Sequence, residues 1–176
     1  MRHLKLFIAC SLDGFIARPN GDVDWLFTDA DYGYTEFMSG IDTTIMGNAT
    51  YRTALKFEDI PFRDKRNIIF TRQPDRESTR FAEYVSGDII DYTRRLKEEP
   101  GAGIWLVGGA DIIRQLYRAR LIDDYIIAFH PIILGEGIPL FSGPGIQENL
   151  RLEELRRYDS GLVQMVHSRR PDEPAG

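Results

Sequence analysis

Glycine-rich junctions between predicted strands and helices are the first feature of the sequence that could bind an anionic ligand. Residues 104–107 form an apolar run typical of a buried strand, and Gly108-Gly109 follows directly, ahead of a helix-like segment. A glycine pair lets a ligand approach the backbone, and the N–H groups at the beginning of a helix bind phosphate. An isolated glycine pair is also typical of a tight packed turn. No G-x-G-x-x-G pattern is present, so the dinucleotide fingerprint of the Rossmann fold is absent.

Two further junctions repeat this arrangement. Gly47-Asn48-Ala49-Thr50 links a predicted strand to a helix, and Asn48 and Thr50 are also suitable helix caps. Thr71 and Arg72 end another predicted strand, and the guanidinium of Arg72 offers a fixed charge and a planar fork for a phosphate. In layered α/β sheets, ligands bind beyond the carboxyl ends of the strands. We therefore expect a ligand at residues 9–14, 47–50, 71–73 and 108–111.

Acidic residues are crowded around the first predicted helix. A carboxyl beside the apolar segment Trp25-Leu26-Phe27 would be desolvated, which would raise its pKa and suit it to proton donation. Loop and capping roles are the alternative for most of these carboxyls. The candidates are Asp13, Asp22, Asp24, Asp29 and Asp31.

The histidines and the cysteine indicate neither a metal site nor a nucleophilic catalytic centre. His3, His130 and His167 are scattered without metal-ligand spacing, and Cys10 is a single cysteine in an apolar strand. We therefore expect no metal site, no disulfide within the chain and no Ser-His-Asp or Cys-His constellation.

Alternating strand and helix patterns must position these junctions. The patterns predict an α/β fold of three layers, with a central, mixed but mostly parallel sheet, flanking helices and a C-terminal antiparallel hairpin. Strands are predicted at 4–11, 43–46, 67–71, 81–85, 104–107, 125–129, 150–158 and 162–167, and helices at 29–39, 49–55, 88–98 and 110–119.

Composition limits the protein to a few classes. A chain of 176 residues with a net charge of −5 fits one domain and argues against a nucleic-acid surface. The apolar runs are too short to span a membrane, and no signal peptide is recognisable, so we expect a cytoplasmic protein without membrane or nucleic-acid partners. The domain is predicted to cover residues 1–168, with a frayed tail at 169–176.

Six ordered segments carry a resemblance to a known family. They are Ser11-Leu12-Asp13-Gly14, Asp24-Trp25-Leu26, Ile45-Met46-Gly47-x-x-Thr50-Tyr51, Asn67-Ile68-Ile69-x-Thr71, Ile104-Trp105-Leu106-Val107-Gly108-Gly109 and Pro131-x-x-Leu134-Gly135-x-Gly137-Ile138-Pro139-Leu140-Phe141. Through them the chain resembles the dihydrofolate reductase-like superfamily. It is most similar to the branch named after the C-terminal domain of the riboflavin-biosynthesis deaminase/reductase (RibD).

The resemblance implies a reductase that uses NADPH and forms a homodimer. Its implied cofactor contacts are Val107, Gly108, Gly109, Ala110, Asp111 and Ile112 around the pyrophosphate, Gly47, Asn48, Ala49 and Thr50 at the adenine half, Thr71 and Arg72 near the 2′-phosphate, and Ala9 and Ile16 beside the nicotinamide. Its alignment places Asp31 at the acid of dihydrofolate reductase, with Asp29 and Asp24 as rivals.

Three departures from the family pattern qualify this resemblance. Dihydrofolate reductases carry a basic residue directly after Met-Gly, where this chain has Asn48. Recognition of the 2′-phosphate would then depend on Arg72, helped by Arg52 or Arg76. Val23 replaces the serine that the riboflavin-pathway reductase uses on its substrate's ribose phosphate, and no deaminase segment is recognisable. We therefore expect a relative of that enzyme rather than the enzyme itself.

The leading hypothesis is an NADPH-dependent reductase that transfers hydride to a small heterocycle, pterin-like or pyrimidine-like, or to a related molecule. Trp25, Phe27 and Tyr51 would form the substrate pocket together with Asp24, and Asp31 would orient or protonate the substrate. Two alternatives remain open. The first is a genuine dihydrofolate reductase, against which Asn48 and residues 131–141 count. The second is a non-catalytic, dimeric nucleotide-binding protein.

Overall fold

The computed structural model describes residues 1–57, 59–144 and 146–170. Over this part of the chain ten strands and four helices follow one another. The strands are β1 (Leu4–Ser11), β2 (Phe15–Ala17), β3 (Ile41–Gly47), β4 (Arg66–Phe70), β5 (Glu83–Val85), β6 (Gly103–Gly108), β7 (Asp124–His130), β8 (Ile138–Pro139), β9 (Leu150–Arg157) and β10 (Val163–Arg169). The helices are α1 (Tyr34–Ser39), α2 (Asn48–Ala54), α3 (Ile89–Glu98) and α4 (Ala110–Arg118).

Eight of the described strands form one mixed sheet, in the order β5-β4-β3-β6-β1-β7-β10-β9. The first six strands of this order are parallel to one another. Strand β10 is antiparallel to both β7 and β9, which gives the predicted C-terminal hairpin. Strand β7 lies between β1 and β10, so its apolar run has a paired strand on each side.

The sheet lies between two helical layers because successive side chains of a strand point to opposite faces. On one face, Leu6 packs with Leu96 of α3 and Leu116 of α4 in a fully buried cluster. On the other face, Phe7 stacks on Phe37 of α1, with ring centroids 4.4 Å apart. The three-layer α/β architecture predicted from the sequence is therefore confirmed.

Helix α1 is shorter than predicted. It begins at Tyr34 rather than at residue 29, and its N-cap is Gly33. Tyr32 and Gly33 adopt φ values of 50° and 79°, in the left-handed region that a right-handed helix cannot include. The prediction for this end of the helix was wrong because the spacing of apolar residues gives no information about left-handed backbone at Tyr32 and Gly33.

The segment after β1, for which no strand was predicted, contains a short strand. Strand β2 pairs antiparallel with β8, with Phe15 opposite Pro139 and Ala17 opposite Ile138. This pairing joins two segments that are far apart in sequence, which is why local pattern did not reveal it. It fixes Ile16, in the centre of β2, beside the carboxyl end of β1.

The last sheet strand extends to Arg169, one residue beyond the predicted domain boundary. The backbone N–H of Arg169 donates to the carbonyl of Asp123 at 2.8 Å. Residues 171–176, which make up most of the predicted tail, lie outside the described residues. The described part of the chain contains no helix long and apolar enough to cross a membrane.

Candidate active site

A cavity of about 1510 Å³ runs along the carboxyl ends of the parallel strands. The ends of β1, β3, β4 and β6 border it, because parallel strands bring their carboxyl ends to one edge of a sheet. All the residues for which the sequence predicted cofactor contacts line this cavity. They are Ala9, Ile16, Gly47, Asn48, Ala49, Thr50, Thr71, Arg72, Val107, Gly108, Gly109, Ala110, Asp111 and Ile112.

The glycine turn between β6 and α4 presents backbone to this cavity. Gly108 adopts a φ of 136°, and the peptide bond to Gly109 is cis. A Cβ added at Gly109 would lie 3.0 Å from Oγ1 of Thr50, so a side chain at this position would crowd Thr50. Gly109 is the N-cap of α4, and no side chain caps the helix. The first-turn N–H groups, at Ala110 and Asp111, are thus available to an anion.

The side chain of Arg72 lies at the mouth of the cavity with 97% of its surface exposed. Its guanidinium is 3.9 Å from the carboxylate of Asp111. That carboxylate also accepts hydrogen bonds from Arg114 and Gln115. Arg72 therefore provides a solvent-accessible positive charge next to the beginning of α4.

A second arginine is held against Asn48. Arg76 donates to Oδ1 of Asn48 at 2.8 Å and to the hydroxyl of Tyr84 at 2.8 Å. Its guanidinium lies 3.9 Å from the centre of the Tyr84 ring, which fixes it by a cation–π contact. Arg76 does not itself line the cavity but contacts Asn48, which does. Arg52, the other predicted helper, lies in the last turn of α2 and does not line the cavity.

A smaller cavity of about 430 Å³ adjoins the large one. Ala9 and Leu26 line both cavities, so the two cavities are direct neighbours at these residues. The walls of the smaller cavity are mostly aromatic and apolar. The lining residues are Phe7, Ala9, Leu26, Phe27, Ala30, Asp31, Tyr32, Tyr34, Ala128, His130, Leu162 and Gln164.

Asp31 lines the smaller cavity, but its environment differs from the one expected. Its carboxylate accepts hydrogen bonds from Oγ1 of Thr35 at 2.6 Å and from the Thr35 backbone N–H at 3.1 Å. These bonds, led by that of the Thr35 hydroxyl, lower the pKa of Asp31. The expected increase was wrong because the side chain is exposed and hydrogen-bonded. The geometry therefore favours an orienting anion over a proton donor.

The rival carboxyls do not reach either cavity. Asp24 pairs with Arg18 at 2.6 Å on the exposed loop after β2, and this hydrogen bond lowers its pKa. Asp29 accepts a hydrogen bond from the hydroxyl of Tyr32 at 2.8 Å. Neither lines either of the two cavities, so the structure does not bring Asp24 to the predicted substrate pocket.

Two of the three predicted aromatic wall residues are also elsewhere. Trp25 is buried, with its ring edge-to-face against His130, and Tyr51 is buried in a cluster with Met46 and Ile69. Neither lines either of these two cavities, because each is directed into the core. Of the three, Phe27 lines the smaller cavity.

His130 is a site residue that the sequence analysis missed. It is 4% exposed at the end of β7. Its Nε2 accepts a hydrogen bond from the backbone N–H of Phe27 at 3.2 Å, and its Nδ1 lies 3.2 Å from the carbonyl oxygen of Ala128. These partners require a proton on Nδ1 and none on Nε2, which defines a neutral imidazole. Burial lowers the pKa of His130, in agreement with this form.

Gln164 is the second residue that was missed. It is 2% exposed and donates from Nε2 to the carbonyl of Tyr32 at 3.2 Å. Its position beside Ala128 depends on the pairing of β10 with β7, which no local pattern reveals. His130, by contrast, comes directly after the apolar run of β7, at the carboxyl end of a strand. The rule that ligands bind at such ends could therefore have identified it from the sequence.

The thiol of Cys10 plays no part in either cavity. Its side chain is buried, and desolvation raises its pKa to about 11. A thiol with this pKa is protonated at neutral pH and is a poor nucleophile. Over the described residues, no group of three or more His, Cys, Asp or Glu side chains is placed to hold a metal ion.

Comparison with known proteins places this arrangement in a family. The family model of the RibD C-terminal domain matches residues 2–164. Uncharacterized protein YwjB of Bacillus subtilis (strain 168) is 35% identical over 165 residues, which cover 92% of this chain and 95% of that protein.

Solved structures agree with the observed fold. A crystal structure from Shewanella sp. PV-4, described as a riboflavin biosynthesis protein, superimposes with a TM-score of 0.84 at 26% identity, over 96% of this chain and 99% of that chain. Dihydrofolate reductase from Enterococcus faecalis, complexed with NADP(H), gives a TM-score of 0.73 at 15% identity, over 96% and 97%. The chain belongs to the RibD C-terminal domain family, a family of reductase type with the dihydrofolate reductase-like fold.

Proposed function

We propose that the protein is an NADPH-dependent reductase acting on a small, flat heterocycle or a related molecule. The observation that carries this proposal is the junction of the two cavities at Ala9 and Leu26. A long cleft at strand ends, continuous with a compact aromatic pocket, suits a dinucleotide whose reactive end must touch a second ligand. Membership of a reductase-type family supports the same reaction class.

The residues of the large cavity fit such a cofactor. The uncapped beginning of α4 and the side-chain-free turn at Gly109 suit a pyrophosphate, since an anion there can accept several backbone N–H groups. Arg72 at the mouth and Arg76 beside Asn48 supply positive charge for a 2′-phosphate. Ala9 and Ile16 leave a small apolar space next to the smaller cavity for the nicotinamide.

The smaller cavity fits the hydride acceptor. When bound, NADPH supplies a hydride to the carbon of a C=N or C=O bond and leaves as NADP⁺. Asp31 would orient the acceptor through hydrogen bonds from the acceptor's N–H groups, and Phe27 would pack on its ring. The proton that completes the reduction goes to the nitrogen or oxygen of that bond, and we assign it to solvent because the pKa of Asp31 is lowered.

Titration with NADPH and NADH, followed by tryptophan fluorescence, tests the cofactor. Trp105 donates from its indole to the carbonyl of Phe7, a residue of the smaller cavity, so it reports on this region. We expect saturable binding of NADPH and weaker binding of NADH. Loss of the NADPH absorbance with dihydropterins, pyrimidines or quinones then tests the reaction. Failure of both nucleotides to bind would overturn the proposal, and tight binding without any reduction would favour a non-catalytic nucleotide-binding protein.

A further inference from the structure

The charges around the smaller cavity limit what it can accept. Of its lining residues, Asp31 alone carries a formal charge, since His130 is held neutral by its two backbone partners. The other polar groups that face it are a carboxamide and two phenols. Such a wall offers hydrogen bonds to a substrate but no cation to an anionic one.

An arginine near this cavity is already paired. Arg156 lies against Gly33, and its guanidinium donates to Glu36 at 2.8 Å and to Glu154 at 2.6 Å. Two carboxylates therefore balance its charge. An anionic group in the cavity would be desolvated beside Asp31 without an uncompensated cation, which is unfavourable.

The walls favour flat, apolar rings. Phe27 and Tyr32 lie with ring centroids 6.3 Å apart, and the rings of Phe27 and His130 are 4.9 Å apart. The side chain of Gln164 also lines the cavity, and its amide donates a hydrogen bond to the backbone carbonyl of Tyr32. A ring compound could pack against these aromatic faces and donate its N–H groups to Asp31.

We propose that the acceptor bound in the smaller cavity is an uncharged aromatic or heteroaromatic ring that carries no phosphate or carboxylate group. This inference rests on the proposed reductase function and sharpens it. It predicts that the ring itself is recognised and that an anionic tail on the same ring is excluded by Asp31 and by the absence of a cation among the residues that line this cavity.

The test compares acceptors that share a ring and differ in charge, after NADPH binding has been shown by tryptophan fluorescence. The pairs are a methyl-substituted dihydropterin with dihydrofolate, and naphthoquinone with its sulfonate. We expect KM for the uncharged member to be lower by about tenfold or more, as expected for one unpaired like charge. Equal or lower KM values for the anionic members, or no reduction of any uncharged member, would overturn the inference. If NADPH binds and the anionic acceptors have the lower KM, the inference about the acceptor fails but the proposed reductase function stands.

Two variants test whether the charge of this cavity causes the preference for uncharged acceptors. Asp31→Asn removes the carboxylate charge, so the KM ratio of anionic to uncharged acceptors should fall several-fold. Asp159→Asn removes the same charge from the exposed hairpin tip, outside the cavity, and should leave the ratio unchanged. An unchanged ratio in Asp31→Asn, or equal changes in both variants, would show that the charge of this cavity does not select the acceptor.

Discussion

The guanidinium of Arg76 is held 2.8 Å from Oδ1 of Asn48, at the edge of the large cavity. Asn48 occupies the position where dihydrofolate reductases carry a basic residue. Arg76, from the segment after β4, thus places a positive charge beside Asn48, which carries none itself. Because the Tyr84 ring and hydroxyl also hold this guanidinium, the charge is fixed before any ligand binds.

Replacing Arg76 by methionine should weaken the use of NADPH selectively. The methionine keeps an apolar stem but removes the cation, and only NADPH carries a 2′-phosphate. We expect KM for NADPH to rise about tenfold, equivalent to about 1.4 kcal/mol, with little change for NADH. Steady-state oxidation of the two nucleotides measures both values. Arg80→Met is the matched control, since that guanidinium lies 5.4 Å from the Phe81 ring and does not contact Asn48. Parallel increases for both nucleotides would contradict the assignment.

An alanine at Gly109 should weaken cofactor binding more than it weakens the fold. Its Cβ would lie 3.0 Å from Oγ1 of Thr50 and would project where an anion must approach the beginning of α4. We expect Kd for NADPH to increase about tenfold or more, measured by fluorescence titration. Thr50→Ala in the same chain relieves the internal contact. If that double variant recovers full affinity, the effect was packing against Thr50 and not the approach of a ligand.

The large cavity could be predicted from the sequence because the residues that mark it follow directly after each strand in the chain. A parallel strand followed by Gly, Asn, Thr or Arg marks a carboxyl end, and all such ends meet at one edge of the sheet. The smaller cavity could not be predicted in this way. Trp25 and Tyr51 are aromatic residues of the right segments, yet their side chains point into the core. Gln164 reaches the site only through the long-range pairing of β10 with β7.

His130 should make the stability of the fold depend on pH in the weakly acidic range. Burial lowers its pKa below the ordinary value of about 6.5, so the unfolded chain binds this proton more readily than the folded chain does. Its contribution to stability is therefore fully present above about pH 6.5 and is lost as the pH falls toward the folded-state pKa. Urea unfolding at several pH values should show a smaller loss on acidification in His130→Gln than in the parent chain. His167→Gln, on strand β10, is the matched control, and the same reduction there would refute the assignment.

A buried ion pair behind the sheet should matter more to stability than an exposed pair. Lys97 is 4% exposed, and its Nζ donates to Oδ2 of Asp123 at 2.5 Å and to the carbonyl of Leu121 at 2.8 Å. Lys97→Met leaves Asp123 with only the more distant guanidinium of Arg169, 3.7 Å away, and we expect a loss of about 3 kcal/mol in the free energy of unfolding. Arg94→Met breaks the exposed pair with Asp91 and should cost at most about 0.5 kcal/mol. Similar losses in the two variants, measured by urea unfolding, would disprove this difference.

Asp31→Asn should lower turnover far more than cofactor affinity. Asparagine can still accept the hydrogen bonds of Thr35 at the beginning of α1, so the helix should stay in place. It loses the negative charge that would hold the acceptor's N–H groups, and Asp31 lies in the smaller cavity, outside the lining of the large one. We expect kcat/KM for the acceptor to fall about tenfold or more, with Kd for NADPH unchanged. Thr35→Ala removes the hydroxyl that donates to the carboxylate and keeps the charge, so it should have a smaller effect. Unchanged turnover in Asp31→Asn would remove Asp31 from the mechanism, because a charge that orients the acceptor cannot be lost without cost.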